Sequence, residues 1–443
     1  MAVYEDREAF IPYRRTDLIE LCLEEGQLAA TDAQKFRDFC TILAAYYHFQ
    51  FHQTLETLKD NFAPFNPDAD TKAIQLTSLG QKQQMADRIV TTFEQLLEKA
   101  NYVSLSQASL QQALQEKSLL ELNTKVNFDD FEQMVCYCRG DIYKKTWVKK
   151  LFGKVERTVD IFERVALLLK FKDADYFLNH KIKLDSLNFM PGQMYVYLYK
   201  NIPKFDIEFL FPNVKISMTL RDRLFLIIPA IGAAIPVMIK ALPQLLLIIG
   251  IVLFFADTPP LLDDLRANEE QVRNFLPVLL ALLSLVVVFG GFTFKQYTNY
   301  KNKQIRFQKD VTDTLFFKNI ASNMGVFHAL IDAAEEEECK EVILVYYHLL
   351  THQSPLTPQQ LDDRIETWME QKLGTKVDFD IQGPLRNLAR IRGKVLSSKG
   401  QAKAPELPLL SYDSQGCCQV LPLDDAKTVL DYIWDKFFLY SSS

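Results

Sequence analysis

The sequence predicts a mostly α, α+β protein: a helical N-terminal region, a small antiparallel sheet, a two-helix transmembrane hairpin and a C-terminal winged-helix-like domain. Three observations predict this fold class. Apolar residues recur at helical spacing over residues 15–100, and short β-rich or alternating runs follow between residues 181 and 220. The apolar residues of the chain are then concentrated between Leu224 and Phe294.

We expect five regions in the chain. They are an N-terminal helical region (1–115), a mixed α/β region ending in the sheet (116–222), the transmembrane hairpin (223–295), membrane-proximal helices (296–353) and the winged-helix-like domain (354–443). The net charge of -6 argues against nucleic-acid binding through bulk electrostatics. The seven cysteines form neither a disulfide framework nor a zinc set, and they fit a reducing compartment.

The soluble elements before the hairpin are read from periodicity. Helices are expected over residues 15–100, broken by a loop at 63–71, and residues 127–137 also have a helical pattern. Residues 158–171 are apolar enough for either a buried strand or a buried helix. Turn-separated runs then predict a meander of four strands, at residues 181–187, 194–202, 205–211 and 214–220.

The hairpin prediction depends on two apolar segments. Residues 276–294 carry no charge and are long enough to cross the ~30 Å hydrocarbon core of a bilayer. The first span is placed at about 235–255, with Pro236 in its first turn and Lys240 reaching back to the interface. A re-entrant pair broken near Lys240 is the alternative reading of this first segment. The N-terminus has no signal or transit-peptide pattern, so the hairpin would direct insertion.

Basic residues flank the hairpin and acidic residues fill its loop. The positive-inside rule then places both termini in the cytoplasm or its organellar equivalent. The flanking residues expected to set topology and contact lipid headgroups are Arg221, Arg223, Lys295, Lys301 and Lys303.

The C-terminal part predicts helices at residues 334–350, 358–373, 381–394 and 426–440, with strands at 394–398 and 417–423 that could pair. Thr357 can cap the second helix, because Pro358 suits the first helical position. This element order resembles a winged-helix domain. Its recognition helix would carry the basic residues Arg386, Arg390, Arg392 and Lys394, but the acidic chain and the membrane tether disfavour a nucleic-acid partner.

Several sequence blocks together resemble a poorly characterised membrane family that includes mitochondrial transmembrane protein 143 and bacterial and plastid relatives. The blocks are FIPYRRTDLIELC, FDDFEQMVCYCRG with the following LFGK, FERVALLLKFK, KNIPKFDIEFLFPN and AEEEECKEVILVYYHLL. The resemblance implies a domain of unknown function in an integral protein of a bacterial-type or organellar inner or thylakoid membrane, so that the termini would lie on the cytoplasmic, stromal or matrix side. It implies no established reaction, substrate or cofactor.

A polar cluster is predicted from charged residues within these blocks. Glutamates on one helix could bind a hard cation, could pair with arginines from another region, or could simply form a solvated acidic face. The interdomain ion-pair network is the most specific of these predictions. Its candidate residues are Arg14, Arg15, Asp17, Arg139, Glu335, Glu336, Glu338 and Glu341.

No catalytic motif is present in the sequence. His48 and His52, like His348 and His352, have the spacing that places two imidazoles on one helical face, but neither pair belongs to an H-E-x-x-H pattern. We therefore assign no catalytic residue, no metal ligand and no cofactor.

The leading functional hypothesis is a non-enzymatic, membrane-anchored scaffold or regulatory protein that contacts the lipid bilayer and a protein partner or a second copy of itself. An oligomeric channel or transporter component is one alternative, with hairpins packing through Gly290 and Gly291 around Lys240. A metal-dependent hydrolase using Glu and His residues is the other.

Overall fold

The computed structural model describes residues 3–4, 9–105 except 73, 75 and 76, 122–150, 153–218, 315–395 and 406–436. It also describes scattered helical positions from 283 to 312. The chain divides into two units. The first comprises Met1–Lys117, Asn127–Asn213 and Lys318–Ser443, and the second comprises Ser118–Val126 and Val214–Phe317. Three stretches that are far apart in sequence therefore build the first unit.

Helices and strands alternate in long blocks along the described residues. The helices are α1 (Arg15–Glu24), α2 (Ala30–Phe62), α3 (Leu79–Lys99), α4 (Ala174–Asn179), α5 (Met324–Thr351), α6 (Pro358–Leu373), α7 (Gln382–Arg390) and α8 (Leu423–Lys436). The strands are β1 (Val3–Tyr4), β2 (Val103–Ser104), β3 (Leu122–Lys125), β4 (Phe131–Lys150), β5 (Gly153–Phe171), β6 (Met194–Pro203), β7 (Lys215–Met218), β8 (Asn319–Ser322), β9 (Arg392–Gly393), β10 (Leu407–Pro408), β11 (Leu410–Tyr412) and β12 (Cys418–Val420).

The predicted N-terminal helices are present as α1, α2 and α3. Helix α3 begins with a capping box, because the Ser78 hydroxyl accepts from the Gln81 backbone N–H while the Gln81 side chain accepts from the Ser78 backbone N–H. Helix α2 is 33 residues long and buries one aromatic-rich face. Its partner is α5, and the Phe39 ring stacks on Tyr346 with centroids 4.2 Å apart.

An antiparallel sheet forms the other layer of the first unit. Its strands lie in the order β1-β4-β5-β6-β8, and β2 also pairs with β4. The long hairpin of β4 and β5 dominates the sheet, with Val135 opposite Leu168 and Tyr137 opposite Ala166. Strand β8 enters from a distant part of the chain to pair with β6.

The structure corrects three predictions for the sheet region. Residues 127–137 are not helical, since a short 3-10 helix at Phe128–Asp130 leads into β4. The third predicted strand, 205–211, lies mostly in the 3-10 helix Lys204–Leu210, and the first, 181–187, contains the 3-10 helix Leu184–Ser186 instead of a strand. The alternative left open for 158–171 is resolved as strand β5. For residues 131–137, pairing with β5, which local periodicity does not report, accounts for the difference.

Each face of the sheet is buried against a different core. Val135, Leu168 and Val196 belong to the large core shared with the helices. The opposite face carries an aromatic group in which Phe131 packs on Phe171 and Phe211, with ring centroids 5.1 and 5.9 Å apart. Two buried faces explain why residues 165–169 of β5 form a continuous apolar run rather than an alternating one.

The C-terminal elements follow the predicted order of helices and strands. Thr357 and Gln360 form a capping box at the start of α6, and Pro358 occupies its first position, as predicted. Strand β9 pairs with β10 and β11 pairs with β12. Of the strand predicted at 394–398, residues 394–395 are in no strand and residues 396–398 lie outside the described residues, so its pairing with 417–423 stays a prediction. The winged-helix assignment itself stays a prediction, as do the predicted domain boundaries.

The second unit contains β3 and β7, which pair antiparallel from Leu122 with Met218 to Lys125 with Lys215. Among the described residues of the chain, no helix is long and apolar enough to cross a membrane. This finding contradicts the predicted transmembrane hairpin, and the fold class is corrected to mixed α/β. The first predicted span, 235–255, lies outside the described residues, and only isolated helical positions of the second, 276–294, lie within them.

The same finding corrects the predicted integral-membrane function and localisation. Of the residues expected to set membrane topology, Lys295 and Lys301 are exposed helical positions, whereas Arg221, Arg223 and Lys303 lie outside the described residues. The alternative transport pathway near Lys240 also lies outside them.

Candidate functional site

Helix α5 is the axis of the helical layer, and it is buried on all sides from Glu337 to His348. A helix buried all round is usually apolar throughout. The first half of this buried stretch instead carries Glu337, Glu338, Lys340 and Glu341. Each of these charges must therefore find a partner within the protein.

A buried ion pair on α5 forms hydrogen bonds with both backbone groups of Ile11. Lys340 Nζ lies 2.5 Å from Glu337 Oε2, and the two side chains are 3% and 1% exposed. Glu337 Oε1 accepts from the Ile11 N–H at 2.6 Å, while Lys340 Nζ donates to the Ile11 carbonyl oxygen at 2.6 Å. The pair thus satisfies both backbone groups of a residue that belongs to no helix or strand.

Asn101 joins this ion pair to a second buried carboxylate. Its side-chain amide donates to Glu341 Oε1 at 2.9 Å, to Glu337 Oε1 at 3.3 Å and to the Ala9 carbonyl oxygen at 3.2 Å. Asn101 has a φ of 57°, in the left-handed region that asparagine tolerates better than most residues. The turn after α3 therefore aims one amide at both glutamates and at the N-terminal segment.

Three further glutamates of α5 pair with three other segments. Glu336 accepts from the Arg15 backbone N–H at 2.8 Å and lies 3.4 Å from the Arg15 guanidinium. Glu338 lies 3.2 Å from Lys99 Nζ at the end of α3. Glu335 Oε2 lies 2.9 Å from Nδ1 of His48 on α2. Together with Glu337, Lys340, Glu341, Asn101 and Ile11, these residues form what we call the α5 polar cluster.

The other predicted cluster residues have different contacts. Arg14 pairs with Asp17 on the surface of α1 at 2.8 Å. Arg139 donates to the Ala100 carbonyl oxygen at 3.0 Å, and its guanidinium lies over the rings of Phe10 and Tyr102, 3.8 and 4.7 Å from their centroids. Its role is thus a cation-π contact beside the cluster.

The residues at the centre of the α5 polar cluster were not predicted from the sequence as a group. Lys340 and Asn101 were not candidates, and Glu337 was considered only as part of the acidic run 335–338, although Glu337 and Lys340 have the i, i+3 spacing of a helical ion pair. That spacing was a usable signal. No sequence signal indicated the hydrogen bonds with Asn101 and Ile11, because these residues are hundreds of positions from α5.

Burial governs the protonation of the two central carboxyls. It raises the pKa of Glu337, against the opposing effect of Lys340 and the Ile11 N–H. Burial also raises the pKa of Glu341 well above its usual value, opposed by the Asn101 amide and reinforced by nearby Glu337 and Glu338. Because protein encloses both carboxyls, they are suited to holding the N-terminal segment in place and not to binding a substrate.

Asn101 offers a direct test of this docking. We expect Asn101→Ala to lower the free energy of unfolding by about 3 kcal/mol, since it removes the amide and also places alanine, which tolerates the left-handed region less well than asparagine, at this position. Asn101→Gly removes the same amide but relieves the backbone, so the expected loss is about 2 kcal/mol. Urea unfolding measures both values, and equal stability of the wild type and the glycine variant would contradict the role given to the amide.

The histidine pairs do not form a metal site. His48 contacts Glu335, His52 lies 4.0 Å from Glu56, and His348 is fully buried. Within the described part of the chain, no group of three or more His, Cys, Asp or Glu side chains is arranged to hold a metal ion. The alternative of a metal-dependent hydrolase therefore has no described site.

An open groove lies along strand β4, next to α3. Its cavity volume is about 360 Å³, and residues 131–137 of β4 line it together with Glu94, Ser104, Leu105 and Phe128. A hydrogen bond of 2.6 Å from the Gln133 amide to Asp87 links β4 to α3 beside it. The volume lies within the range of ligand-binding clefts.

Within the described part of the chain, the edge of β4 along this groove is only partly paired. Strand β2 pairs with β4 only at Tyr137 and Cys138, and the Leu105 N–H then donates to the Cys136 carbonyl oxygen at 2.8 Å. In an antiparallel strand alternate residues direct their backbone groups to the same side, so Met134 directs its N–H and C=O to this edge. Among the described residues, no strand pairs with Met134 there.

A separate ionic group lies near the middle of β4. Lys204 Nζ contacts Asp141 at 2.8 Å and Asp160 at 3.0 Å, and it thereby joins β4, β5 and the 3-10 helix after β6. Burial raises the pKa of Asp160. Because one lysine already bridges both carboxylates, we regard this group as a structural tie.

Comparison with known proteins identifies part of the chain. No solved structure matches it. The family described as "Protein of unknown function (DUF3754)" matches residues 162–325. The match includes much of β5, all of β6 and the KNIPKFDIEFLFPN block, and it ends before the glutamates of α5. It does not show the narrower resemblance to the membrane family of mitochondrial transmembrane protein 143. Residues 162–325 of this chain are a DUF3754 domain, a domain of unknown function.

Proposed function

We propose that this protein binds an extended segment of a partner protein, which adds as a strand to the open edge of β4. The observation that carries the proposal is the groove of about 360 Å³ beside Met134. Because the Cys136 carbonyl faces this edge, strand alternation directs the backbone groups of Met134 to the same edge. An exposed sheet edge is a template for another strand, and main-chain hydrogen bonds then supply sequence-independent affinity.

The surroundings of the groove favour an ordered site over a frayed edge. Val135 and Tyr137 are 4% and 6% exposed and belong to the large core, so the strand beneath the groove is held by packing. On its other side β4 is paired with β5 along its whole length. A rigid edge lowers the entropic cost of adding a strand, because only the partner segment must be ordered.

The test uses the full-length protein and fluorescein-labelled peptides of about eight residues, a length sufficient for one strand. The peptides alternate valine with lysine, threonine or glutamate. We expect at least one peptide to bind with a micromolar Kd by fluorescence anisotropy and to slow hydrogen exchange at Met134. The same peptide with N-methyl groups on the amides that would face β4 should bind at least about tenfold more weakly.

Met134→Pro is the matching change in the protein. It deletes the N–H that faces the groove and leaves the hydrogen bonds to β5 in place, so we expect at least about tenfold weaker binding. Met134→Leu keeps the N–H and should bind as the wild type does. If no peptide binds, or if N-methylation leaves the affinity unchanged, strand addition at this edge is wrong.

A further inference from the structure

The two faces of the groove differ in chemistry. On the α3 side lies the carboxylate of Glu94, and on the opposite side lie Phe128 and Phe131, whose ring centroids are 6.4 Å apart. A strand added to β4 would direct successive side chains to alternate sides. Side chains on one side of the bound segment would therefore face Glu94, and those on the other side would face the two phenylalanines.

Glu94 lacks a cationic partner in the described part of the chain. Its acidic neighbour Glu98 lies one turn along α3, and both burial and the charge of Glu98 raise the pKa of Glu94. The lysine next to them, Lys99, is already committed to Glu338 at 3.2 Å. Another carboxylate at the groove, Glu132, is neutralised by Lys170 at 2.8 Å. The helix side of the groove thus has one carboxylate that a cation from outside would stabilise.

Resting on the proposed function, we infer that the bound segment alternates basic with apolar side chains, with a Lys or Arg against Glu94 and its apolar neighbours against Phe128 and Phe131. A second copy of this chain fits the groove less well. Pairing two β4 edges would bring two acidic groove walls together, and like charges at close range destabilise an interface.

The three peptides that alternate valine with lysine, threonine or glutamate test this inference. In low-salt buffer we expect the wild type to bind the lysine peptide about tenfold more tightly than the threonine peptide, and the glutamate peptide most weakly. The preference should shrink as NaCl is added, because salt screens a partly exposed charge pair.

Glu94→Gln should reduce the preference for lysine over threonine to about twofold or less while leaving the threonine peptide's affinity unchanged. Glu406→Gln changes the net charge by the same amount at an exposed position that does not line the groove, so it should keep the preference. Circular dichroism confirms that both variants are folded.

The two proposals fail in distinguishable ways. Equal affinity of the wild type for the lysine and threonine peptides, or a preference that survives Glu94→Gln, overturns the basic partner and leaves strand addition standing. Absence of binding by all three peptides overturns both.

Discussion

Replacing Lys340 by methionine is expected to lower the free energy of unfolding by about 3–5 kcal/mol, the cost typical of removing one partner from a buried ion pair. Lys340 is 3% exposed, and it balances Glu337 while donating to the Ile11 carbonyl oxygen. Without it, the Glu337 carboxylate loses its cation and the Ile11 carbonyl oxygen loses its donor inside the protein. Chemical denaturation at pH 7 gives the value, provided that the transition is two-state.

A second substitution separates charge from packing. In the variant with Lys340→Met and Glu337→Gln, part of the lost stability should return, because the glutamine carries no charge while its Oε1 can still accept from the Ile11 N–H. The cost of Lys340→Met alone should also shrink as the pH falls, since the raised pKa of Glu337 lets this group become neutral. A loss below about 1 kcal/mol at pH 7, typical of exposed pairs, would show that the pair is solvated.

The surface pair of Arg14 and Asp17 supplies the control for this prediction. Both side chains are more than half exposed, at 81% and 53%, and they are three residues apart on α1. Arg14→Ala should leave the unfolding midpoint unchanged. The contrast between Arg14 and Lys340 would show that burial, and not the presence of an ion pair, sets the energetic effect.

Acidification below pH 6.5 is expected to destabilise the protein through His348. This residue is fully buried, and within the described residues neither ring nitrogen has a hydrogen-bond partner. The imidazole packs against Trp368 and Tyr347, with ring centroids 5.2 and 5.4 Å away. Burial, with the charge of Arg364, lowers the pKa of His348 to about 3.

The sign of this pH dependence follows from linkage. The unfolded chain protonates this histidine below about pH 6.5 whereas the folded chain does not, so stability is present above that pH and falls as the pH decreases towards 3. At pH 5 the expected loss from this one group is about 2 kcal/mol. Raised pKa values of Glu337 and Glu341 act in the opposite direction, because the folded state binds protons at those groups more readily.

The difference between wild type and His348→Leu isolates the histidine from these carboxyls. We expect the variant to keep its pH 7 stability within about 1 kcal/mol, since it deletes two unpaired polar atoms from a buried site. Between pH 7 and 5 it should then lose about 2 kcal/mol less than the wild type does. His52→Gln, at a position 56% exposed, serves as the surface control. Parallel pH profiles of wild type and His348→Leu would contradict the buried neutral histidine.

Helices and helix caps were predictable from the sequence, because they depend on residues that are close along the chain. The helices of the N-terminal region follow from apolar spacing, and the start of α6 follows from Thr357 and Pro358. These signals are local, because a cap and a helical face involve residues within a few positions of one another.

Elements and contacts that depend on residues far away along the chain were not predictable in this way. Residues 127–137 have a helical pattern, yet the segment from Phe131 onward pairs with β5. The apolar residues between Leu224 and Phe294 predicted a membrane hairpin that the described helices contradict. For the polar cluster, Arg15 was a candidate and contacts Glu336, but its neighbour Arg14 turns to Asp17 on the surface. No local property distinguishes these two arginines.

Residue types and their spacing were enough to establish the helical N-terminal region, the cap of α6 and the charged stretch on α5. Which charges on α5 are buried, and what they bind, depended on the packing of residues near 11, 101 and 340 against one another. Among the described residues, β4 likewise has no strand paired with it at Met134, because β2 pairs with β4 only at Tyr137 and Cys138. Contacts between distant segments form only when the whole chain packs, since the entropy of closing such long loops must be offset by burial of the entire core.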